Sequence, residues 1–181
     1  AGGLLGQLKQ LGVSEEDAQK LFEMIGLGAL KFFLLKVDPK KRMLFDPNES
    51  IQLQGFTGPF IQYTHARIRA IIRKAESLGI SVEEADLRSL ESLEPAERDV
   101  LQVLTQFENK IREAAKDYSP AVIANYAFDV AKQYNQFYQS IPIFNEEDAA
   151  KLKFRIAVSE SVALVLKKSM RLLGIFVPEK M

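Results

Sequence analysis

One recurring piece of punctuation constrains this chain more than any other feature. A capping side chain, or a proline at a first helical turn, opens a run of apolar residues spaced about 3.6 apart, and a glycine or proline closes it. Thr57 or Gly58 caps and Pro59 opens a run whose stripe is Ile61, Ile68, Ile72 and Ala75, ending at Gly79. Pro95 opens the next, with Val100, Leu101, Leu104, Phe107 and Ile111 on its apolar side. Ser119-Pro120 repeats the device, and Ile123, Ala127, Val130, Ala131, Tyr134, Phe137 and Tyr138 line a long helix that stops at Pro142. Asn145 with Asp148 begins the last, which runs through Leu152, Ile156, Val162, Val165, Leu166 and Leu173 to a glycine cap at Gly174. Long amphipathic helices must bury their stripes against one another, so the expected fold class is all-α, an antiparallel helical bundle.

The first third of the chain reads less regularly. Ser14 with Glu15, Glu16 and Asp17 makes a helix start with an acidic first turn, followed by Ala18, Leu21, Phe22 and Ile25 and a glycine stop at Gly26. Ala29 to Lys36 suits either a second helix or a buried strand, with helix favoured. From Val37 to Gly55 two Asp-Pro pairs and the lack of a helical period predict an irregular surface connection. Ser81-Val82-Glu83-Glu84 is a capping box that predicts a short acidic helix. The expected division is a helical and irregular extension over residues 1–56 and the bundle over residues 57–181.

Composition removes much catalytic chemistry. There is no cysteine and only one histidine, His65, which excludes disulfides, thiolate chemistry and a histidine-rich metal site. No apolar run reaches the roughly 20 residues of a membrane span, and the start AGGLLGQLKQLG has no basic segment ahead of a long apolar one; a soluble, cytoplasmic protein without membrane contact is expected. Neither Gly-x-Gly-x-x-Gly nor a phosphate loop occurs. Gly55-Phe56-Thr57-Gly58 has a clamping-loop spacing without the strands such a loop needs. The paired carboxylates Glu83–Glu84 and Glu146–Glu147 fall in first turns, where the helix dipole accounts for them.

Charge sums to zero, 24 basic against 24 acidic residues, but it is unevenly laid out. Beside the apolar stripe of the Pro59 helix, His65, Arg69 and Arg73 recur every four residues, with Arg67 and Lys74 on another ridge. These cations are expected to stand free of the core, and His65 is expected at the surface or facing RNA.

The runs ALKFFLLKVDPKKRMLFDPNESI and GFTGPFIQYTHARIRAI resemble the junction between the catalytic and anticodon-binding domains of arginyl-tRNA synthetases. ANYAFDVAKQYNQFYQSIPIF and KFRIAVSESVALVLKKSM are similar to the long helices of that family's anticodon module, and SMRLLGIFVPEKM to its carboxyl end. Ala66-Arg67-Ile68 stands in place of the module's Asp-Ala-Leu-Arg motif, with His65 where the acid would be. The resemblance implies a class I synthetase anticodon-binding bundle, with residues 1–56 as the tail of the catalytic domain and its connection. The family's catalytic signatures are absent from these residues, so the implied activity of the parent, ligation of arginine to tRNA-Arg with ATP and magnesium, would not reside in this fragment. Its own catalytic residues, cofactors and metals are expected to be none. Expected partners are tRNA-Arg and the catalytic domain of the same polypeptide, in a monomer.

Carried over from the family, Tyr138, Ile143 and Met181 are candidates for base contacts and Lys168 and Arg171 for phosphates, with Arg67, Arg69 and Arg73 along the tRNA backbone. Each has a plainer reading. Phe137 and Tyr138 lie on an apolar stripe, and Phe137 is expected in the core. Arg155 is expected to pair with an acidic neighbour, and Lys168 and Arg171 sit where a helix C-terminus favours cations. The alternative function is a helical protein-docking module, which an apolar patch without adjoining cations would favour.

Overall fold

The computed structural model describes residues 14–38, 40–42, 44, 46–83, 90 and 92–181. Within them the chain forms seven helices: α1 (Glu15–Leu35), α2 (Pro47–Ser50), α3 (Gly58–Ser77), α4 (Pro95–Leu104), α5 (Phe107–Asp117), α6 (Pro120–Ser140) and α7 (Ala149–Leu172). No strand occurs among the described residues. The short acidic helix expected after Ser81 falls on residues 84–89 and 91, outside the described residues.

The caps at Thr57 and Asp148 behave as the sequence requires, whereas Ser119 makes no side-chain cap on α6, which Pro120 opens. Thr57 Oγ1 accepts from the Phe60 amide at 3.2 Å to start α3. Asp148 Oδ1 accepts from the Ala150 amide at 2.8 Å and from that of Lys151 at 3.3 Å to start α7. Gly79 and Gly174 take positive φ values of 70° and 68° just past the ends of α3 and α7, a conformation only glycine adopts without strain.

Two expectations are corrected. Gly26 does not stop the first helix, and Ala29 to Lys36 is neither strand nor separate helix: α1 is continuous from Glu15 to Leu35. Packing overrides the local penalty of its two glycines, because Ala29, Phe32 and Phe33 are buried and Gly28 is the point where α1 crosses α3. A Cβ on Gly28 would lie 2.5 Å from Gln62 Nε2, and one on Gly58 would lie 2.8 Å from the Gly28 carbonyl oxygen. The helix opened by Pro95 also divides, at Thr105–Gln106. There the buried Tyr126 hydroxyl donates to the Val103 carbonyl at 3.1 Å, which favours a break in the i to i+4 ladder at that turn.

The long helices share one core. Phe32, Ile61, Ile68, Val100, Ala127, Val130, Tyr134, Phe137, Val162, Leu166 and Met170 are its innermost members. α6 and α7 run antiparallel, since Tyr134 bonds Ser159 while Pro142 bonds Arg155. α3 and α6 run in the same direction: Phe60 meets Phe128, Thr64 meets Asn135 and Lys74 meets Phe144. The excursion through α4 and α5 makes that parallel placement possible, and it sets Arg67 beside Tyr138.

The bundle also buries an ionic cluster. Arg155 Nε donates to Glu97 Oε1 at 2.7 Å and its Nη1 lies 2.6 Å from Glu146 Oε2. Glu97 Oε2 in turn accepts from the Glu94 amide at 2.8 Å, capping α4. Arg155 thus has the acidic partners its sequence context implied, tying α4, α7 and the loop between α6 and α7 together.

Candidate nucleic-acid interface

The face shared by α3 and α6 is built around one guanidinium. Arg67 projects from α3 with its Cζ 4.8 Å from the Tyr63 ring centroid and 5.3 Å from that of Tyr138. Tyr63 precedes it by one turn on the same helix; Tyr138 comes from the last turn of α6. Arg67 Nη1 donates to Asn135 Oδ1 at 2.6 Å. Asn135 is itself oriented, because its Nδ2 donates to Thr64 Oγ1 and to the Ala131 carbonyl, each at 2.8 Å.

The platform beneath is rigid. The Tyr138 ring stacks on Tyr134, with centroids 6.4 Å apart and planes 21° apart. Tyr134 is buried and its hydroxyl donates to Ser159 Oγ at 2.9 Å; burial pushes its phenol well above the usual tyrosine range. Tyr63 and Tyr138 remain 36% and 38% exposed. Two half-exposed rings flanking a fixed cation offer faces for flat, electron-rich groups, and the guanidinium keeps donors beyond the one given to Asn135.

The other predicted residues go elsewhere. Ile143 is 3% exposed and belongs to the hydrophobic core, so its side chain presents no platform for a base. Phe137 is fully buried, as its stripe implied. The cations expected to stand free on α3 are covered by the segment that follows α7. Arg69 Nε pairs with Glu179 Oε2 at 2.5 Å, and Arg73 Nη1 donates to the Glu179 carbonyl at 3.0 Å. His65, expected at the surface, is buried, with Nδ1 2.9 Å from the Pro178 carbonyl oxygen; that carbonyl can only accept, so Nδ1 carries the hydrogen. Burial holds the imidazole below its usual value, against the opposing Pro178 hydrogen bond and the charge of Glu179. Met181 is exposed at the end of this segment.

Lys168 and Arg171 lie on the distal part of α7. They rim a groove of about 610 Å³ whose other walls include Phe107, Ile111, Leu172 and Phe176, and the Arg171 guanidinium sits 4.9 Å from the Phe176 ring. Arg155, one turn from the Tyr134 partner Ser159, is near the level of Tyr138; at 1.5 Å per residue Arg171 is roughly 24 Å further along the helix. The structure therefore brings Arg67 and Tyr138 together and separates both from Lys168 and Arg171.

Sequence reasoning missed Tyr63 and Asn135. Tyr63 was legible, being four residues before Arg67 on one helix. Asn135 was not, since its role depends on α6 lying parallel to α3. Among the described residues no group of three or more His, Cys, Asp or Glu side chains is placed to hold a metal ion, and no described helix is long and apolar enough to cross a membrane.

Comparison with known proteins bears on this face. The DALR anticodon binding domain family matches residues 61–181. An arginine-tRNA ligase of Phocaeicola vulgatus is 48% identical over 177 residues, covering 98% of this chain and 29% of that protein. That of Bacteroides thetaiotaomicron is 47% identical with the same coverage. Among solved structures, the arginyl-tRNA synthetase of Thermus thermophilus matches with a TM-score of 0.78 at 33% identity, over 87% of this chain and 27% of that one. The arginyl-tRNA synthetase of Plasmodium falciparum matches in fold, with a TM-score of 0.83 at 24% identity over 99% of this chain and 31% of that one. The chain spans less than a third of the length of these relatives.

Proposed function

The chain belongs to the DALR anticodon-binding domain family, in the form that arginyl-tRNA synthetases carry, and from that membership we propose that it receives the anticodon loop of an arginine tRNA on the face shared by α3 and α6. The observation that carries this reading is Arg67 held between the half-exposed rings of Tyr63 and Tyr138. Unstacked loop bases need flat partners, and each base stacked on an aromatic ring contributes about 1–3 kcal/mol. Arg67 adds a cation over those rings and donors for a base edge or a phosphate. Because Asn135 fixes its position, little ordering is required on binding.

Met181 completes the set of base contacts at the exposed end of the last segment. Lys168 and Arg171, on the rim of the α7 groove and far from Tyr138 along that helix, meet backbone phosphates on another part of the tRNA. Arg69 and Arg73, engaged with Glu179, act through that segment.

In this reading the larger polypeptide ligates arginine to its tRNA with ATP and magnesium. In the same reading ATP and magnesium act in a catalytic unit elsewhere in that polypeptide. What this part contributes is binding and orientation. Its partners are tRNA-Arg and the catalytic unit, with residues 1–56 as the junction; the exposed Leu27, Leu30 and Leu34 on one side of α1 favour docking there. The working state is a cytoplasmic monomer.

The test is a titration of the chain against the anticodon stem-loop of an arginine tRNA and a copy with replaced anticodon bases, at two salt concentrations. The expected result is preference for the arginine loop, reduced about tenfold in affinity by Tyr63→Ala or Tyr138→Ala. Equal affinity for both loops would refute the reading.

A further inference from the structure

Beyond Gly174 the chain turns back along α3 and is held at almost every step. Lys31 Nζ donates to the Gly174 carbonyl at 2.7 Å. Gln62 Nε2 donates to that of Phe176 at 2.8 Å, His65 Nδ1 to that of Pro178 at 2.9 Å and Arg73 Nη1 to that of Glu179 at 3.0 Å. Gln62, His65, Arg69 and Arg73 form one ridge of α3, and the spacing matches the strap laid on it. Three residues of extended chain from Phe176 to Glu179 cover about 10 Å, as do the seven helical residues from Gln62 to Arg69. The strap therefore runs parallel to α3, on a ridge about a third of a turn around the helix from Tyr63 and Arg67.

Glu179 is the lock of this arrangement. Its Oε2 lies 2.5 Å from Arg69 Nε and its Oε1 3.5 Å from Lys167 Nζ on α7, while its carbonyl takes Arg73. One carboxylate thus spans α3 and α7 two residues before Met181. Burial opposes its ionisation, but the hydrogen bond and charge of Arg69, with the charges of His65 and Lys167, hold the carboxyl below its usual value.

We propose that Glu179 is a positioning residue: by joining α3 to α7 its carboxylate fixes Lys180 and Met181 at the end of the strap and withholds Arg69 and Lys167 from indiscriminate phosphate contact. It sharpens discrimination between anticodons without touching RNA. The inference rests on the anticodon reading above.

Two measurements test it. The chain has no cysteine, so Met181→Cys gives a unique site for a nitroxide label. Its spectrum should show slow, restrained motion in the otherwise native chain and fast motion after Glu179→Ala. The second measurement repeats the stem-loop titration with Glu179→Ala and Glu179→Gln, read beside thermal midpoints. The expected signature is a loss of about tenfold in preference between the two loops, with salt dependence steeper by about 0.7 per released cation and only a small fall in the midpoint. A structural role alone would lower both affinities and the midpoint without steepening the salt slope. The proposal is overturned by a label spectrum indifferent to Glu179, or by a variant that keeps the native preference and slope. Absence of preference in the unaltered chain would instead sink the anticodon reading itself, and this inference with it, whatever the label shows.

Discussion

Two glycines on one helix should respond with opposite signs to the same substitution. At Gly26 an added Cβ meets nothing within 4 Å, so Gly26→Ala removes only the entropic cost of a glycine in a helix interior and should stabilise by about 1 kcal/mol. At Gly28 the same propensity gain is available, but the Cβ would sit 2.5 Å from Gln62 Nε2 and 3.1 Å from its Cδ. The Gln62 amide is fully buried and donates to the carbonyls of Met24 at 3.2 Å and Phe176 at 2.8 Å. Displacing it breaks both bonds, about 1 kcal/mol each, and adds overpacking of about 1–3 kcal/mol. Subtracting the propensity gain leaves Gly28→Ala destabilising by about 2–4 kcal/mol. For a domain this size each kcal/mol moves the thermal midpoint by about 2–4 °C, so the two variants should straddle the native protein by a readily resolved margin. Urea unfolding followed by circular dichroism gives both free energies. If the two substitutions shift the midpoint in the same direction, the α1–α3 crossing does not require a glycine at position 28.

Other consequences are as direct. Glu97→Gln leaves Arg155 buried with less compensation and should destabilise by about 3 kcal/mol, whereas Glu97→Leu combined with Arg155→Met should recover most of that loss; chemical denaturation of the single and double variants decides it. Burial depresses the His65 imidazole in the folded state, so the unfolded chain binds the extra proton more readily, and stability should fall as pH drops below 6.5. The Glu179 carboxyl is also depressed, so its contribution, present above 4.5, is lost as pH falls further; His65→Gln should remove only the upper step of the stability–pH curve. Arg67→Lys keeps a charge but loses the planar fork held by Asn135 and flanked by two rings. It should lower affinity for the arginine stem-loop about tenfold with little change in salt slope.

Much of the fold was legible because it is written locally. Thr57-Gly58-Pro59, Ser119-Pro120 and Asp148 place helix starts within a residue or two, and the apolar stripes name Ile61, Ile68, Val130, Phe137 and Leu166 as core before any packing is known. The failures are equally local in origin. Gly26 reads as a stop because propensity says so, yet the helix continues once Ala29 and Phe32 are buried against α3. The helix from Pro95 reads as unbroken because nothing in its own residues announces Tyr126, 23 residues away in sequence from the carbonyl it binds. Ile143 and His65 read as accessible for the same reason, since burial is decided by what folds over a residue.

The amino-acid order alone, then, determined an all-helical chain with its caps, its stripes and the family it belongs to. What it left open is how the ridges pair, because the helical period says which residues share a face and nothing about which face meets which. Only the tertiary structure set α3 parallel to α6, so that Arg67 from one and Tyr138 from the other form a single site. It also laid Pro178 and Glu179 over His65, Arg69 and Arg73, changing a ridge of apparently free cations into the seat of a strap. Both outcomes rest on contacts more than 60 residues apart in sequence, where short-range pattern carries no information and only the closing of the core brings the partners together.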